Sequence, residues 1–319
     1  MKLFFAGHLP KLVAAGLKDL PAGVEVVELD QPADLLGHLH EADGILLHDP
    51  GQEVAVALQQ GLGKPESKVR WVQLVSAGYE SFADLRLPDH VALANQGGAV
   101  APIVAEHALT LGLSLLRRLP QAIAQTQEGR WDRAFASEIK SLEERTLVII
   151  GHGYIGRHLA RFAKPFGTRV IAVARKPVDD PNVDRYVPID QLHSALAEAD
   201  LAVVALALAP ATHHIIDKAA LAAIKPGAVL VNVSRGGTVD PVALREALES
   251  GQLSAAGIDV TEPEPLPAGD PLWQAPNLIV TPHVAGAGGA RVRDRIVAVV
   301  TDNLQRLIDG RPLLHRIHV

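Results

Sequence analysis

Cysteine is absent from this chain of 319 residues, which excludes a disulfide framework, a thiolate nucleophile and any cysteine-ligated metal site. Basic excess is missing too. Lys and Arg number 30 against 36 Asp and Glu, and the net charge of −6 argues against a nucleic-acid partner. No apolar run approaches the roughly 18 residues that span a bilayer. Met1–Gly7 reads as a first strand, too brief for a secretory segment, and Lys11 and Lys18 interrupt the stretch after it, so a cytoplasmic protein is expected. Low-complexity tracts and internal repeats are lacking as well.

What is present is globular. Hydrophobic residues make up 48% and charged residues 21%, and the length suits two domains of about 150 residues each. The most informative stretch is Leu147-Val-Ile-Ile-Gly-His-Gly-Tyr-Ile-Gly156, a short apolar run that enters a Gly-x-Gly-x-x-Gly turn. Arg157–Lys164 comes next, with helical spacing of its apolar positions. Glycine is common here, 27 residues, so the weight of the reading lies on the flanking strand and helix.

Backbone reach explains the glycines of this dinucleotide cradle. Gly151 permits the tight turn, Gly153 removes a side chain that would keep a pyrophosphate at a distance, and Gly156 lets the helix pack closely on the sheet. His152 fills the position between the first two. N–H groups around Tyr154 and Ile155 are expected to face the phosphates, with the positive end of the helix dipole behind them.

Before residue 100, apolar runs at Lys2–Ala6, Val24–Val27, Gly44–Leu47, Val69–Val75 and Val91–Ala94 alternate with helical segments, which indicates a parallel sheet covered by helices. A long apolar helix is expected from Pro102 to about Gln127, broken or kinked at Pro120. Strands recur at Leu147–Ile150, Arg169–Val173, Leu201–Ala205, Val229–Val233, Ala256–Val260 and Leu278–Thr281. Gly289–Asp309 reads as an amphipathic helix stopped by Gly310 and Pro312, and it is expected to cross back onto the N-terminal domain. The expected fold is therefore α/β, with two doubly wound parallel-sheet domains. A Rossmann dinucleotide-binding domain, 99–288, is inserted into a discontinuous flavodoxin-like substrate-binding domain, 1–98 plus 289–319.

Open parallel sheets bind ligands beyond the carboxyl ends of their strands. The run Val229–Arg235 delivers Arg235 there, Ala256–Glu264 delivers Asp259, Glu262 and Glu264, and Leu278–His283 delivers His283. An arginine can hold a substrate carboxylate by a two-pronged, charge-assisted hydrogen bond, beside which a keto carbon meets the nicotinamide. A histidine can give a proton to the carbonyl oxygen as hydride arrives, and a neighbouring carboxylate fixes its tautomer and favours the protonated ring.

These residues resemble the D-isomer-specific 2-hydroxyacid dehydrogenases, which include glyoxylate and hydroxypyruvate reductases and phosphoglycerate dehydrogenases. The likeness runs through Ala105-Glu-His107, Gly129-Arg-Trp131, the glycine turn, Lys225–Asp240, Ala256–Val260, Glu264-Pro-Leu266 and Asn277–His283, over roughly residues 70–290. The resemblance implies Arg235 as carboxylate anchor, His283 as acid/base, and Glu264 rather than Glu262 as the partner of the histidine. It implies substrate-binding backbone at Ser76, Ala77 and Gly78, and cofactor contacts at Val233 and Ser234. Asp259 is expected to face the nicotinamide carboxamide. A homodimer built around the 102–127 helix and its following arm is also implied, with Trp131 and Phe135 as contact candidates. No metal is.

The chain departs from that pattern in two places. Where many members carry a His and a Pro after the fourth strand of the cofactor domain, this one has Ala205 and Ala207, in a segment running to Thr212 with contacts expected mainly through backbone. An NAD-preferring site places an acid about 20 residues past the glycines. Here Ala174-Arg175-Lys176 ends the strand, and two cations suit a 2′-phosphate, so NADP is the expected cofactor, with NAD possible. Rival readings are a formate- or phosphite-type dehydrogenase, against whose formate form Glu264 counts, and a non-catalytic cofactor-sensing regulator of the same fold.

Overall fold

The computed structural model describes residues 1–18 and 20–319. Its contacts divide the chain into two units: Met1–Val100 with Gly288–Val319, and Ala101–Ala287.

The first unit begins with β1 (Lys2–Ala6), α1 (His8–Ala14), β2 (Glu25–Leu29), β3 (Gly44–Leu47), α2 (Gln52–Leu62), β4 (Trp71–Leu74) and β5 (Ala92–Ala94). These strands run parallel in the order β2-β1-β3-β4-β5. Leu3, Phe4, Phe5 and Ala6 are all buried, as are the residues of β3 and β4, which is why these strands read as apolar runs rather than alternating ones, broken only by the buried Gln73 of β4.

The second unit opens with α3 (Ala101–Leu116) and α4 (Leu119–Gln127). The single helix expected over this stretch is two. Arg118 adopts a left-handed conformation, φ 55°, and ends the first helix, while Pro120 sits in the opening turn of the second. The missing N–H of proline is harmless there, so the break falls two residues earlier than the proline itself.

Next come β6 (Thr146–Ile150), α5 (Tyr154–Ala163), β7 (Arg169–Val173), β8 (Arg185–Val187), α6 (Leu192–Leu196), β9 (Leu201–Val204) and α7 (Lys218–Ala223). The unit closes with β10 (Ala228–Asn232), α8 (Pro241–Glu249), β11 (Leu253–Ile258) and β12 (Leu278–Val280). All seven strands are parallel, ordered β12-β11-β10-β9-β6-β7-β8. Chain order reverses between β6 and β9, and the crevice beyond their carboxyl ends is the ligand position of a doubly wound sheet.

The chain then returns to the first unit as α9 (Gly289–Ile308) and β13 (Arg316–Ile317). Helix α9 buries Val292, Ile296, Val300, Asn303 and Leu304, a 3.6-residue stripe. Asn303 is fully buried and satisfied: Nδ2 donates to Gln73 Oε1 of β4 at 2.8 Å, and Oδ1 accepts the Leu314 N–H at 2.7 Å. Strand β13 lies antiparallel beside β5, so the first sheet is mixed rather than wholly parallel. Neither β8 nor β13 was expected; at three and two residues they carry too short a pattern to be seen. The second strand also lies a little later than its apolar run, at Glu25–Leu29. Among the described residues no helix is long and apolar enough to cross a membrane.

Candidate active site

Beyond β6 the glycine turn has the form its pattern predicts. Gly151 holds φ 102°, a region closed to most side chains. A Cβ at Gly156 would run into the carbonyl oxygen of Gly151, so only glycine lets α5 start this close to the strand. A Cβ at Gly153 would meet nothing within 4 Å, which leaves open space above the turn. No side chain caps α5, whose first turn starts at the glycine turn, the end of a helix at which backbone N–H groups suit an anion. The backbone thus fits a pyrophosphate.

His152, between those glycines, is buried beneath the turn. Its Nδ1 lies 3.2 Å from the Tyr186 hydroxyl on β8, and its Nε2 lies 3.2 Å from Asp180 Oδ2. Arg175 and Lys176 are exposed just past β7. Two acids do come after the glycines: Asp179 is exposed, and the Asp180 carboxylate is turned onto His152 and Asn182.

Past β9, Ala205 is buried and Ala207 exposed. The Thr212 hydroxyl accepts the Ala209 N–H at 2.8 Å and donates to the Ala207 carbonyl at 2.8 Å, closing a tight loop. His213 and His214 come next, their rings stacked 3.9 Å apart.

Past β10, Val233 and Ser234 are buried and Arg235 is half-buried. Asn232 sets this turn: Oδ1 accepts the Ser234 N–H at 3.1 Å and its hydroxyl at 2.8 Å, and Nδ2 donates to the Arg235 carbonyl at 3.0 Å. Thr238 Oγ1 donates to that same carbonyl at 2.7 Å. A Cβ at Gly236 would strike the Thr261 carbonyl, so the loop bearing Arg235 and the loop past β11 run in contact.

Past β11 and β12 the two acids separate. Glu264 Oε1 lies 2.5 Å from His283 Nδ1. Glu262 belongs to another pair: Oε2 meets His214 Nε2 at 2.6 Å and Oε1 meets His213 Nε2 at 3.3 Å. The hydrogen bond from His214 holds the Glu262 carboxyl below the usual carboxylate range, against the opposing effect of burial. His283 itself sits at φ 52°, and its side chain is 48% exposed, with Nε2 the nitrogen Glu264 does not occupy.

Asp259 is 2% exposed, and its carboxylate accepts three hydrogen bonds inside the protein. Oδ1 accepts the Thr281 hydroxyl at 2.5 Å and the Val284 N–H at 3.0 Å, and Oδ2 accepts the Ala285 N–H at 2.9 Å. Its backbone carbonyl accepts the His283 N–H at 2.8 Å. The residue expected to face a nicotinamide carboxamide clamps the loop that carries His283. Behind it, His107 of α3 brings Nε2 to 3.0 Å from Thr281 Oγ1. Sequence reasoning read His107 only as part of a motif, and missed the links of His152 with Asp180 and Tyr186; the spacing between such partners carries no signal.

In the first unit, Ser76 is buried just past β4, its hydroxyl donating to the Gly78 carbonyl at 2.9 Å. Asn95 Nδ2 donates to the Ala77 carbonyl at 2.7 Å. The loop is thereby held from both sides.

Comparison with known proteins agrees with this geometry. The family model described as D-isomer specific 2-hydroxyacid dehydrogenase, NAD binding domain, matches residues 109–285. The glyoxylate reductase/hydroxypyruvate reductase of Mus musculus is 32% identical over 324 residues, 98% of this chain and 96% of that one. A solved D-isomer specific 2-hydroxyacid dehydrogenase family protein from Aeromonas salmonicida superposes with a TM-score of 0.84 at 32% identity, covering 99% of this chain and 98% of its own. The NADPH-dependent glyoxylate/hydroxypyruvate reductase of Sinorhizobium meliloti, solved with NADP and sulfate, gives 0.82 at 26% identity, covering 99% and 97%. A family match over more than half the chain, on a sheet order and glycine turn that suit it, means that this chain belongs to the D-isomer specific 2-hydroxyacid dehydrogenase family and is an NAD(P)-dependent oxidoreductase.

Proposed function

We propose that the protein reduces small 2-keto acids with NADPH, with glyoxylate and hydroxypyruvate as first substrates. The observation that carries this reading is the 2.5 Å contact of His283 with Glu264, past β12 and β11, the two strands next in order beyond β10, which leads into Arg235. NADPH held on the glycine turn supplies the hydride. Arg235 holds the substrate carboxylate by paired N–H donors and so turns the keto carbon toward the cofactor. His283 gives its Nε2 proton to the carbonyl oxygen, whose developing negative charge it also stabilises. Glu264, 2.5 Å from the other ring nitrogen, holds the ring in place. Asp259 keeps the His283 loop in register, and Ser76, Ala77 and Gly78 offer backbone to the substrate.

Arg175 and Lys176 support the choice of NADP, since no ion pair engages either among the described residues and a 2′-phosphate needs cations. The mouse and Sinorhizobium relatives, named for glyoxylate and hydroxypyruvate, support the substrate class. A homodimer is part of the proposal: Trp131 in the arm after α4 is 91% exposed and Ile123 on α4 is 58% exposed, apolar surface of the kind a partner covers. So is a cytoplasmic location.

The test is NADPH consumption by the purified protein with glyoxylate, hydroxypyruvate and a panel of larger 2-keto acids, with formate and phosphite offered alongside NADP. Turnover of the keto acids with kcat/KM higher for NADPH than for NADH is expected. Silence across the keto-acid panel overturns the reaction, and parity or preference for NADH overturns the cofactor. Light scattering on the eluted peak reads the dimer.

A further inference from the structure

The Gly-x-Gly-x-x-Gly pattern asks nothing of its second position, yet here that position holds a histidine whose side chain has no exposed surface. The imidazole lies edge to face with the Tyr186 ring, centroids 5.4 Å apart at 80°, and Nδ1 is 3.2 Å from the Tyr186 hydroxyl. Its Nε2 comes within 3.2 Å of Asp180 Oδ2 but outside hydrogen-bond alignment, so this buried nitrogen has no hydrogen-bond partner. Asp180 is held in turn, its Oδ1 accepting from the Asn182 backbone N–H at 2.9 Å and from Asn182 Nδ2 at 2.8 Å.

A buried, under-satisfied imidazole costs desolvation that an alanine or valine in its place avoids. Filling space does not account for it. What the ring does join is informative: one end of it belongs to the phosphate turn, and its two nitrogens face β8 and the loop between β7 and β8. That loop carries Arg175 and Lys176 at its start and Asp180 further on. Among the described residues no ion pair links Asp180 to either cation; its carboxylate is engaged with His152 and Asn182.

We propose that His152 is a positioning residue for cofactor choice: through Asp180 and Tyr186 it sets the loop bearing Arg175 and Lys176 against the glycine turn, so that both cations meet the 2′-phosphate of NADPH. The inference rests on the NADP reading above. Its logic is differential. The pyrophosphate is common to NADPH and NADH and is met by turn backbone, which the ring does not supply. Only the 2′-phosphate depends on where the two cations lie, because charge-assisted hydrogen bonds to phosphate require close, directed approach. Burial pushes the imidazole below its usual pKa of 6.5 and keeps it uncharged, so the ring contributes by holding the loop rather than by charge of its own.

The experiment combines steady-state kinetics with amide hydrogen exchange on wild type, His152→Ala, Asp180→Asn and Tyr186→Phe. His152→Ala is expected to raise KM for NADPH roughly tenfold, equivalent to about 1.4 kcal/mol, with KM for NADH altered less than twofold and kcat at saturation altered less than KM. Exchange across 174–184 in the cofactor-free protein should accelerate. Asp180→Asn should show the same selective loss in smaller measure, and it carries the test if the alanine variant does not fold. Tyr186→Phe, which keeps the ring contact, should fall between Asp180→Asn and wild type. Equal change for both cofactors, or unaltered exchange in 174–184, overturns the positioning role. A wild-type preference for NADH overturns the NADP reading and this role with it, whereas an NADPH preference that survives in both His152→Ala and Asp180→Asn overturns the role alone.

Discussion

Glu264 and His283 are 19 residues apart in the chain and 2.5 Å apart in the structure, carboxylate oxygen to Nδ1. In the proposed mechanism each imidazole nitrogen has a separate task. Replacing His283 by Ala removes the proposed proton donor, and kcat is expected to fall by about 10²–10⁴ while KM for NADPH holds. Glu264→Gln keeps the size and drops the charge, and should give a smaller loss in kcat than His283→Ala. Steady-state kinetics with glyoxylate check both; a His283→Ala enzyme within a few-fold of wild type contradicts the assignment.

Arg235→Lys preserves the charge but not the planar fork. KM for the keto acid is expected to rise by roughly ten- to a hundredfold, with KM for NADPH unchanged, since the proposed ligand of the guanidinium is the substrate carboxylate. Initial-rate measurements with one partner saturating separate the two constants. A matching rise in KM for NADPH argues that the residue serves the cofactor.

Asp259→Asn places an amide where three donors now meet an anion. Two backbone N–H groups and the Thr281 hydroxyl lose their charged acceptor, at an expected cost of about 2 kcal/mol. A drop of several degrees in Tm should accompany a fall in kcat, because the same bonds position His283. Full activity in the variant contradicts the clamp.

Acid stability should show two windows with the same sign. His152, faced by Asp180, Tyr186 and the charge of Arg157, is lowered by burial, so the unfolded chain takes up its proton more readily than the folded one. Stability therefore begins to fall as pH drops below the ordinary histidine value of 6.5. At Asp200 burial pushes the carboxyl up, but the Lys225 ammonium at 2.7 Å, the Thr146 N–H at 3.0 Å and the Arg145 charge outweigh it, and the net direction is down. Its contribution is present above the ordinary 3.8 and is lost as pH falls through the lower folded value. Thermal melts from neutral pH to about pH 3 should lose the first limb in His152→Gln alone and the second in Asp200→Asn alone, the latter from a lower starting Tm.

Much of this molecule is legible in its order of residues. Strands such as β3, β6, β9 and β10 show as apolar runs because they are buried on both faces, and the glycine turn shows because a tight turn and close helix approach admit little else. Strand β8 did not show, at three residues with a single buried position. Nor did the true end of α3, because a left-handed arginine breaks a helix without leaving a compositional mark.

The choice between Glu262 and Glu264 is a sharper case. Both acids lie in one Pro-rich segment, and resemblance alone favoured the second. In the structure the first is taken by His213 and His214 and the second meets His283, an outcome decided by the path of the backbone through 261–264 and not by residue type. Asp259 was likewise legible as an acid at a strand end, but its bonds to the Val284 and Ala285 N–H groups were not.

The linear chain by itself determined the two-sheet α/β plan, the phosphate turn and the residue types at the strand ends, because burial and backbone sterics act over a few neighbouring residues and imprint a local pattern. Which acid serves which imidazole, what Asp259 holds, and the meeting of His152 with Asp180 and Tyr186 were decided only by tertiary structure. Those contacts join residues separated by tens of positions, and their energy depends on ångström-scale placement of loops that no periodicity encodes.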